Sequence, residues 1–256
     1  DLDPSAFTIS AWIKRDASDT GIASIVSKRG NTFTEGYDLS IKDNNTIQFN
    51  IKNGTNQVIT SSTAIPDGKW HQVAIIYNGT TVFIYIDGVL DNSVNITAPI
   101  DTTESFLIGA AGKNSQTQYF NGNIDEVRIW NTNLTESQLR FIMNQEIDEN
   151  SNFVNGKYFM TNGITPTKND IATIPWSDLA GYYPMSTFIF TNIIDASGNN
   201  NFGALKNMRS VDKQTAPLPY ESAADGDWDT NSTWENGTFL TIPGATSIVD
   251  NTVTVD

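Results

Sequence analysis

The chain has 256 residues, a formal net charge of −14 and no cysteine. An acidic chain without a basic patch is a poor partner for nucleic acid or for an anionic membrane surface. The lack of cysteine excludes a disulfide scaffold, thiolate metal sites and cysteine nucleophiles. Hydrophobic residues make up 38% of the sequence, and no apolar run is long enough for membrane insertion. Both ends read as cuts from a longer protein.

Short runs of β-branched and aromatic residues, separated by polar turns, follow one another along the first half of the chain. Residues 7–14 and 22–27 are almost continuously apolar, which is typical of buried strands. Residues 37–51 alternate apolar and polar side chains on both sides of a polar turn, which predicts a hairpin with one polar face. Further strands are predicted at residues 58–62, 70–77, 82–86, 106–108 and 124–130.

The stretch DGKWHQVAIIYNGTTVFIYIDG, residues 67–88, carries the clearest hairpin signal. Two apolar runs are separated by Asn78-Gly79-Thr80-Thr81, and Asn and Gly tolerate the positive φ of tight turns. Because both faces of the runs are apolar, this hairpin is predicted to lie inside a two-layer structure.

A single short helix is predicted after the last of these strands. Thr135 and Gln138 fit a capping box, in which each side chain bonds a backbone N–H of the other residue. Apolar residues then follow at helical spacing, at positions 139, 142, 143 and 147. One helix among evenly spaced strands indicates an all-β sandwich or jelly roll.

Three stretches also resemble laminin-G-like (LamG) domains of the concanavalin A-like family, in the order found there. They are FTISAWIK at 7–14, the hairpin at 67–88 and FNGNIDEVRIWNTNLTESQL at 120–139. The resemblance implies an all-β, concanavalin A-like jelly-roll β-sandwich with one short helix and a small β-rich C-terminal extension. It also implies a secreted bacterial surface protein of the Bacteroidota type.

The resemblance covers the first part of the chain, and the remaining residues are assigned from their own sequence patterns. We expect a LamG-like jelly roll at 1–147 and a linker or long loop at 148–180. Residues 181–210 are predicted to be strands that pack on the jelly roll or open a further repeat. Residues 211–256 are predicted to be a hinge and the start of a further β-rich module.

The resemblance implies a structural calcium site at Asp125, in the strand with the sequence IDEVRIW. The turn Asp195–Asn199 resembles the family turn that completes such a site, so Asp125, Asp195 and Asn199 are the predicted calcium ligands. Ca²⁺ accepts carboxylate and amide oxygens. In the alternative interpretation, Asp125 caps a turn and Glu126 pairs with Arg128 on a solvent face.

Asp125 and Glu126 are also the candidate carboxylate pair for glycoside hydrolysis. Neighbours on a strand point to opposite faces, so Asp125 and Glu126 are not expected to flank one glycosidic bond as a hydrolase requires. The Glu-x-Asp-x-x-Glu motif of glucanases that share this jelly roll is absent.

A long polar loop at residues 112–121 is the candidate ligand-binding segment, because binding residues concentrate in loops. Asn114, Gln116 and Gln118 suit sugar hydroxyls, and Tyr119 offers a stacking face. The alternative is an ordinary flexible loop.

These features predict a non-catalytic, calcium-stabilised carbohydrate-binding or adhesion module of a large exported cell-surface protein. Its expected partners are a glycan or cell-surface protein and the neighbouring modules of the same chain. The alternative is a structural spacer in a bacterial adhesin with no small ligand. A glycoside hydrolase is a third possibility, disfavoured by the absence of co-facing carboxylates.

Overall fold

The described part of the chain folds into antiparallel strands with one α-helix. The computed structural model describes residues 5–97, 102–112, 117–156, 174–206, 216, 224–227 and 230–233. The strands are β1 (Phe7–Arg15), β2 (Ala23–Lys28), β3 (Glu35–Ile41), β4 (Thr46–Asn53), β5 (Asn56–Ala64), β6 (His71–Tyr77), β7 (Thr81–Ile86), β8 (Val89–Asn95), β9 (Phe106–Ile108), β10 (Gly122–Trp130), β11 (Ile147–Asn150), β12 (Phe153–Gly156), β13 (Leu179–Tyr183), β14 (Phe188–Ile189), β15 (Asn192–Ile193) and β16 (Gly203–Ala204). The helix α1 spans Glu136–Met143, and short 3-10 turns span Trp176–Asp178 and Asn231–Thr233.

Two sheets form the sandwich. One has six strands in the order β13-β10-β1-β6-β7-β8, and the other has five in the order β5-β4-β3-β2-β9. The predicted hairpins are β3–β4 and β6–β7. The architecture confirms the predicted all-β jelly-roll sandwich.

The core lies between the two sheets and is built by alternation along each strand. Four aromatic rings meet at its centre, from Phe7 on β1, Tyr37 on β3, Phe49 on β4 and Tyr77 on β6. The centroid of the Phe7 ring lies 5.9 Å from that of Tyr37, 6.1 Å from that of Phe49 and 5.4 Å from that of Tyr77. Such edge and offset contacts stabilise the core beyond simple burial.

Helix α1 covers the outer face of the six-stranded sheet. The predicted capping box is present, because Thr135 accepts a hydrogen bond from the Gln138 N–H and the Gln138 side chain accepts one from Thr135. From the helix, Leu139 packs on β6 and β7, Ile142 packs near Trp130, and Met143 packs beside Trp12. The helix therefore buries the part of this face that carries Trp12, Ala74, Tyr85 and Trp130.

The strands after residue 147 extend this arrangement. β13 pairs with β10 and so forms one edge of the six-stranded sheet. β11 and β12 form a hairpin within the predicted linker, and β14–β16 form a small sheet from which Ile193 enters the main core. In the described ranges, no helix has the length and hydropathy needed to cross a membrane.

One edge of the five-stranded sheet is closed by side chains. The Asp91 carboxylate on β8 accepts hydrogen bonds from the backbone N–H groups of Ser62 and Thr63 on β5, at 2.5 and 3.0 Å. The Asn92 amide donates to the Thr60 carbonyl at 2.8 Å. Edge strands otherwise present unpaired backbone groups that can template another strand.

Candidate functional site

The outer face of the five-stranded sheet is polar, in contrast to the helix-covered face of the other sheet. Its outward positions follow from the alternation of β3 and β4, where Ile47, Phe49 and Ile51 point into the core. Register places Asp38 beside Asn50, and Ser40 beside Gln48. We call this surface the polar face, and its members are Ser24, Asp38, Ser40, Gln48, Asn50, Lys52 and Thr60.

Half-buried amides cross the middle of the polar face. The Asn50 amide donates to Gln48 Oε1 at 3.1 Å, and the Gln48 amide donates to Thr60 Oγ1 at 3.5 Å. An amide has two donors and two acceptor lone pairs, so each keeps capacity for further hydrogen bonds. Amides held in place by neighbours can recognise hydroxyl groups at low entropic cost.

A buried ion pair closes one end of the polar face. Arg29 Nε donates to Asp38 Oδ2 at 2.7 Å, and Ser24 Oγ donates to Asp38 Oδ1 at 3.0 Å. Burial raises the pKa of Asp38, and the Arg29 charge together with these hydrogen bonds opposes that shift. The guanidinium lies 4.6 Å from the centroid of the Phe33 ring, so an aromatic side chain borders the ion pair.

The predicted binding loop reaches this end of the face. Gln118 Oε1 accepts from Arg29 Nη2 at 2.9 Å, and the Gln118 carbonyl accepts from the Ser24 N–H at 2.8 Å. Tyr119, the next residue, is 52% exposed. Asn114 and Gln116 lie outside the described residues. Two of the four predicted ligand residues thus lie in the segment that contacts the polar face.

The sequence analysis did not select the residues of the sheet itself. Gln48, Asn50 and Lys52 alternate with the core residues of β4. The polar face predicted for this hairpin was therefore the sequence signal that could have identified them. Arg29 and Gln118 are 89 positions apart, and local patterns do not predict such a contact.

The predicted calcium ligands fall into two separate hydrogen-bonded settings. Asp195 accepts three backbone N–H groups, each at 3.0 Å. The amide of Asn199 in the same turn donates to the Leu179 and Ala180 carbonyls at 2.8 and 3.2 Å. These bonds fix the turn against β13. Within the described ranges, no three acidic or histidine side chains are arranged to hold a metal ion, and the calcium site stays a prediction.

A bulge in β10 changes the expected geometry of the two acids. Ser10 pairs with Arg128 and Trp12 pairs with Asp125, so one residue of β1 faces two of β10. Glu126 adopts a φ of 50° at this point. The expectation that Asp125 and Glu126 point to opposite faces was wrong, because the bulge interrupts the alternation and turns both toward the outer side.

Both carboxylates are buried there by other parts of the chain. Asp125 Oδ2 accepts from the Ala216 N–H at 3.2 Å, and Glu126 Oε2 accepts from Tyr182 Oη at 2.8 Å. Glu126 also forms an ion pair with Arg128. The expected pairing of Glu126 with Arg128 is confirmed, but its expected place on a solvent face was wrong, because both side chains are at least 98% buried.

The Glu126–Arg128–Tyr182 cluster, named for its members, holds α1 against the sandwich. Arg128 donates to the Ile142 carbonyl in the helix and to the Gln145 carbonyl just after it. Burial raises the pKa of Glu126 to about 7, and the nearby Asp125 adds to the shift while Arg128 opposes it. A raised carboxyl pKa is a property of many catalytic acids, yet here the cluster lies beneath the helix, away from solvent.

Solved structures of other proteins have a similar fold. The most informative solved structure is a Bacteroides ovatus protein provisionally described as carbohydrate-binding, with 22% identity and a TM-score of 0.59. The similarity covers 84% of this chain and 55% of that one, so the chain spans about half the length of that protein. No curated protein matches the chain.

Two further structures are less similar. The Ruminococcus gnavus IT-sialidase CBM40 has 16% identity over 56% of this chain and 83% of that one, with a TM-score of 0.49. Domain 4 of AbnA, a GH43 extracellular arabinanase from Geobacillus stearothermophilus, has 23% identity over 56% and 68%, with a TM-score of 0.46. A laminin G family model, described as the concanavalin A-like lectin/glucanases superfamily, matches residues 1–140. That match spans more than half of the 256 residues, and the chain belongs to this superfamily.

Proposed function

We propose that the chain is a non-catalytic carbohydrate-binding module of an exported bacterial surface protein, and that it binds glycan on the polar face. The observation that carries the proposal is the uncovered row of half-buried amides and hydroxyls on β4 and β5. Gln118 and Tyr119 border this row, and Phe33 lies at its end. Helix α1 covers part of the outer face of the other sheet. On the polar face Ser24, Asp38 and Ser40 are buried, so the accessible part is formed by the half-buried residues Gln48, Asn50, Lys52 and Thr60.

The fold supports this proposal in a second way. The Bacteroides ovatus protein with the same fold is described as carbohydrate-binding. The carboxylate pair that could suggest hydrolysis is enclosed in the Glu126–Arg128–Tyr182 cluster and beside Ala216, where a polysaccharide has no access. We therefore propose binding without turnover.

The test is a panel of soluble polysaccharides in affinity gel electrophoresis, followed by calorimetry on the best ligand. We expect Asn50→Ala to weaken binding about tenfold, because a hydrogen bond to the ligand is lost and a partner group is left unpaired. Tyr119→Ala is expected to weaken it as well. Asn133→Ala is the matched control, since this exposed amide lies in the turn before α1.

Three outcomes would contradict the proposal. A panel without any binding would favour the spacer alternative. Equal affinity of Asn50→Ala and the parent would place the ligand elsewhere. Release of reducing ends from any polysaccharide would show a hydrolase.

Calcium stabilisation is a separate part of the proposal and has its own test. A site with a Kd near 10 μM would add about 2.7 kcal/mol to the free energy of unfolding at 1 mM Ca²⁺. We expect the melting temperature to rise between EDTA and 1 mM Ca²⁺, and the rise to disappear in Asp125→Asn. An unchanged melting temperature would rule out the calcium site and leave glycan binding untouched.

A further inference from the structure

Two cations converge on one aromatic ring at the end of the polar face. The Arg29 guanidinium carbon lies 4.6 Å from the centroid of the Phe33 ring, and Lys52 Nζ lies 5.8 Å from the same centroid. Phe33 itself has a φ of 35°, in the left-handed region that a bulky residue seldom adopts. The backbone is thus held in an unfavourable conformation, and in it the Phe33 ring contacts both cations.

Arg29 keeps hydrogen-bonding capacity toward this area. Its side chain is held by Asp38, by the Gly30 carbonyl at 3.3 Å and by Gln118. These three bonds use three of the five guanidinium N–H groups. Two N–H groups have no partner in the part of the chain that the structure describes, on a residue that is only 7% exposed.

Lys52 contributes an ammonium group that no described carboxylate neutralises. Within the described ranges it forms no ion pair and no hydrogen bond, and its contact is the ring of Phe33. It stands on β4, with Asn50 two positions away on the same side of the sheet.

The surrounding carboxylates do not balance these charges. Asp38 is the only described carboxylate in an ion pair with either cation. Glu35 accepts a hydrogen bond from Thr102 Oγ1 at 3.0 Å, and Glu104 lies against Gly30. In a chain with a net charge of −14, Lys52 without an ion pair beside Arg29, whose counter-ion is Asp38, forms a local site for an anion.

From this geometry we infer that the polar face selects acidic glycans, and that a carboxylate or sulfate group of a sugar binds between Lys52 and Arg29. The inference rests on the proposed function and names its ligand class. The neutral amides of β4 would bind the ring hydroxyls, while the two cations would bind the acidic substituent. Charge-assisted hydrogen bonds of this kind are stronger than neutral ones.

The experiment compares polymers that differ only in charge. Polygalacturonate is paired with its methyl ester, and dextran sulfate is paired with dextran. The first pair reports on a carboxylate and the second on a sulfate. Binding is measured by affinity gel electrophoresis and calorimetry at 50 and 500 mM NaCl, for the parent chain, Lys52→Gln and the control Lys69→Gln. Lys69 is exposed and lies before β6, so both variants change the net charge equally.

We expect the parent to prefer at least one charged polymer over its neutral partner. Lys52→Gln should bind that polymer about tenfold more weakly, whereas Lys69→Gln should bind like the parent. Equal binding of charged and neutral polymers, or equal losses in both lysine variants, would overturn the inference and leave the proposed function standing. No binding to any polymer of the wider panel would overturn both.

Discussion

Replacing Arg128 with methionine is expected to lower the free energy of unfolding by about 3–5 kcal/mol. Arg128 is 1% exposed and supplies the counter-charge of Glu126. It also satisfies the carbonyls of Ile142 and Gln145 at the end of α1. At pH 8, above the raised pKa of Glu126, the loss of Arg128 leaves a buried carboxylate unpaired. It also leaves two carbonyls without these donors, and both effects penalise the folded state.

Chemical denaturation monitored by tryptophan fluorescence measures this loss. Lys69→Met removes one exposed positive charge and should change the free energy of unfolding by less than about 1 kcal/mol. The double variant Glu126→Met with Arg128→Met should recover part of the loss, since no charge is then left unpaired. If Arg128→Met were as stable as Lys69→Met, the role of the cluster in holding the helix would be refuted.

The contribution of Glu126 to the stability of the fold is expected to decrease as the pH rises from about 4.5 to about 7. Glu126 has its pKa raised from 4.5 to about 7 in the folded protein. In this interval the unfolded chain has released the proton, whereas the folded chain still holds it, so the unfolded state gains stability relative to the folded state. A shift of this size corresponds to about 3 kcal/mol.

Glu126→Gln isolates this contribution. Glutamine does not titrate, so the difference in unfolding free energy between the parent and the variant should change by about 3 kcal/mol between pH 4.5 and 7.5. Burial also raises the pKa of Asp38, but that group titrates in both proteins and cancels in the difference. A constant difference across the pH range would show that Glu126 does not change its protonation here.

The sequence predicted those parts of the fold that depend on local patterns. The strands, the β6–β7 hairpin and the capping box of α1 each require only neighbouring residues, and each was confirmed. The bulge at Glu126 was missed because it depends on how β10 registers against β1. Nothing in the IDEVR stretch itself shows that one strand carries an extra residue.

The candidate site was predicted only in part, because local patterns identify its loop residues but not the strands that the loop contacts. Gln118 and Tyr119 were selected because a long polar loop is a common place for ligand contacts. The facing residues come from β2, β3 and β4 and join the loop only through the folded sheet. Alternation marked Gln48 and Asn50 as outward, but it could not predict their exposure, because that depends on which outward positions other segments cover in the fold.

The hydrogen bonds that close the edge of β5 affect whether two copies of this chain can associate through that edge. An open edge strand can pair with the same strand of a second copy. The Asp91 carboxylate occupies the N–H groups of Ser62 and Thr63 from the side, so an approaching copy meets a negative charge and finds no free donors at those two positions. This edge is thereby protected from strand pairing with a second copy.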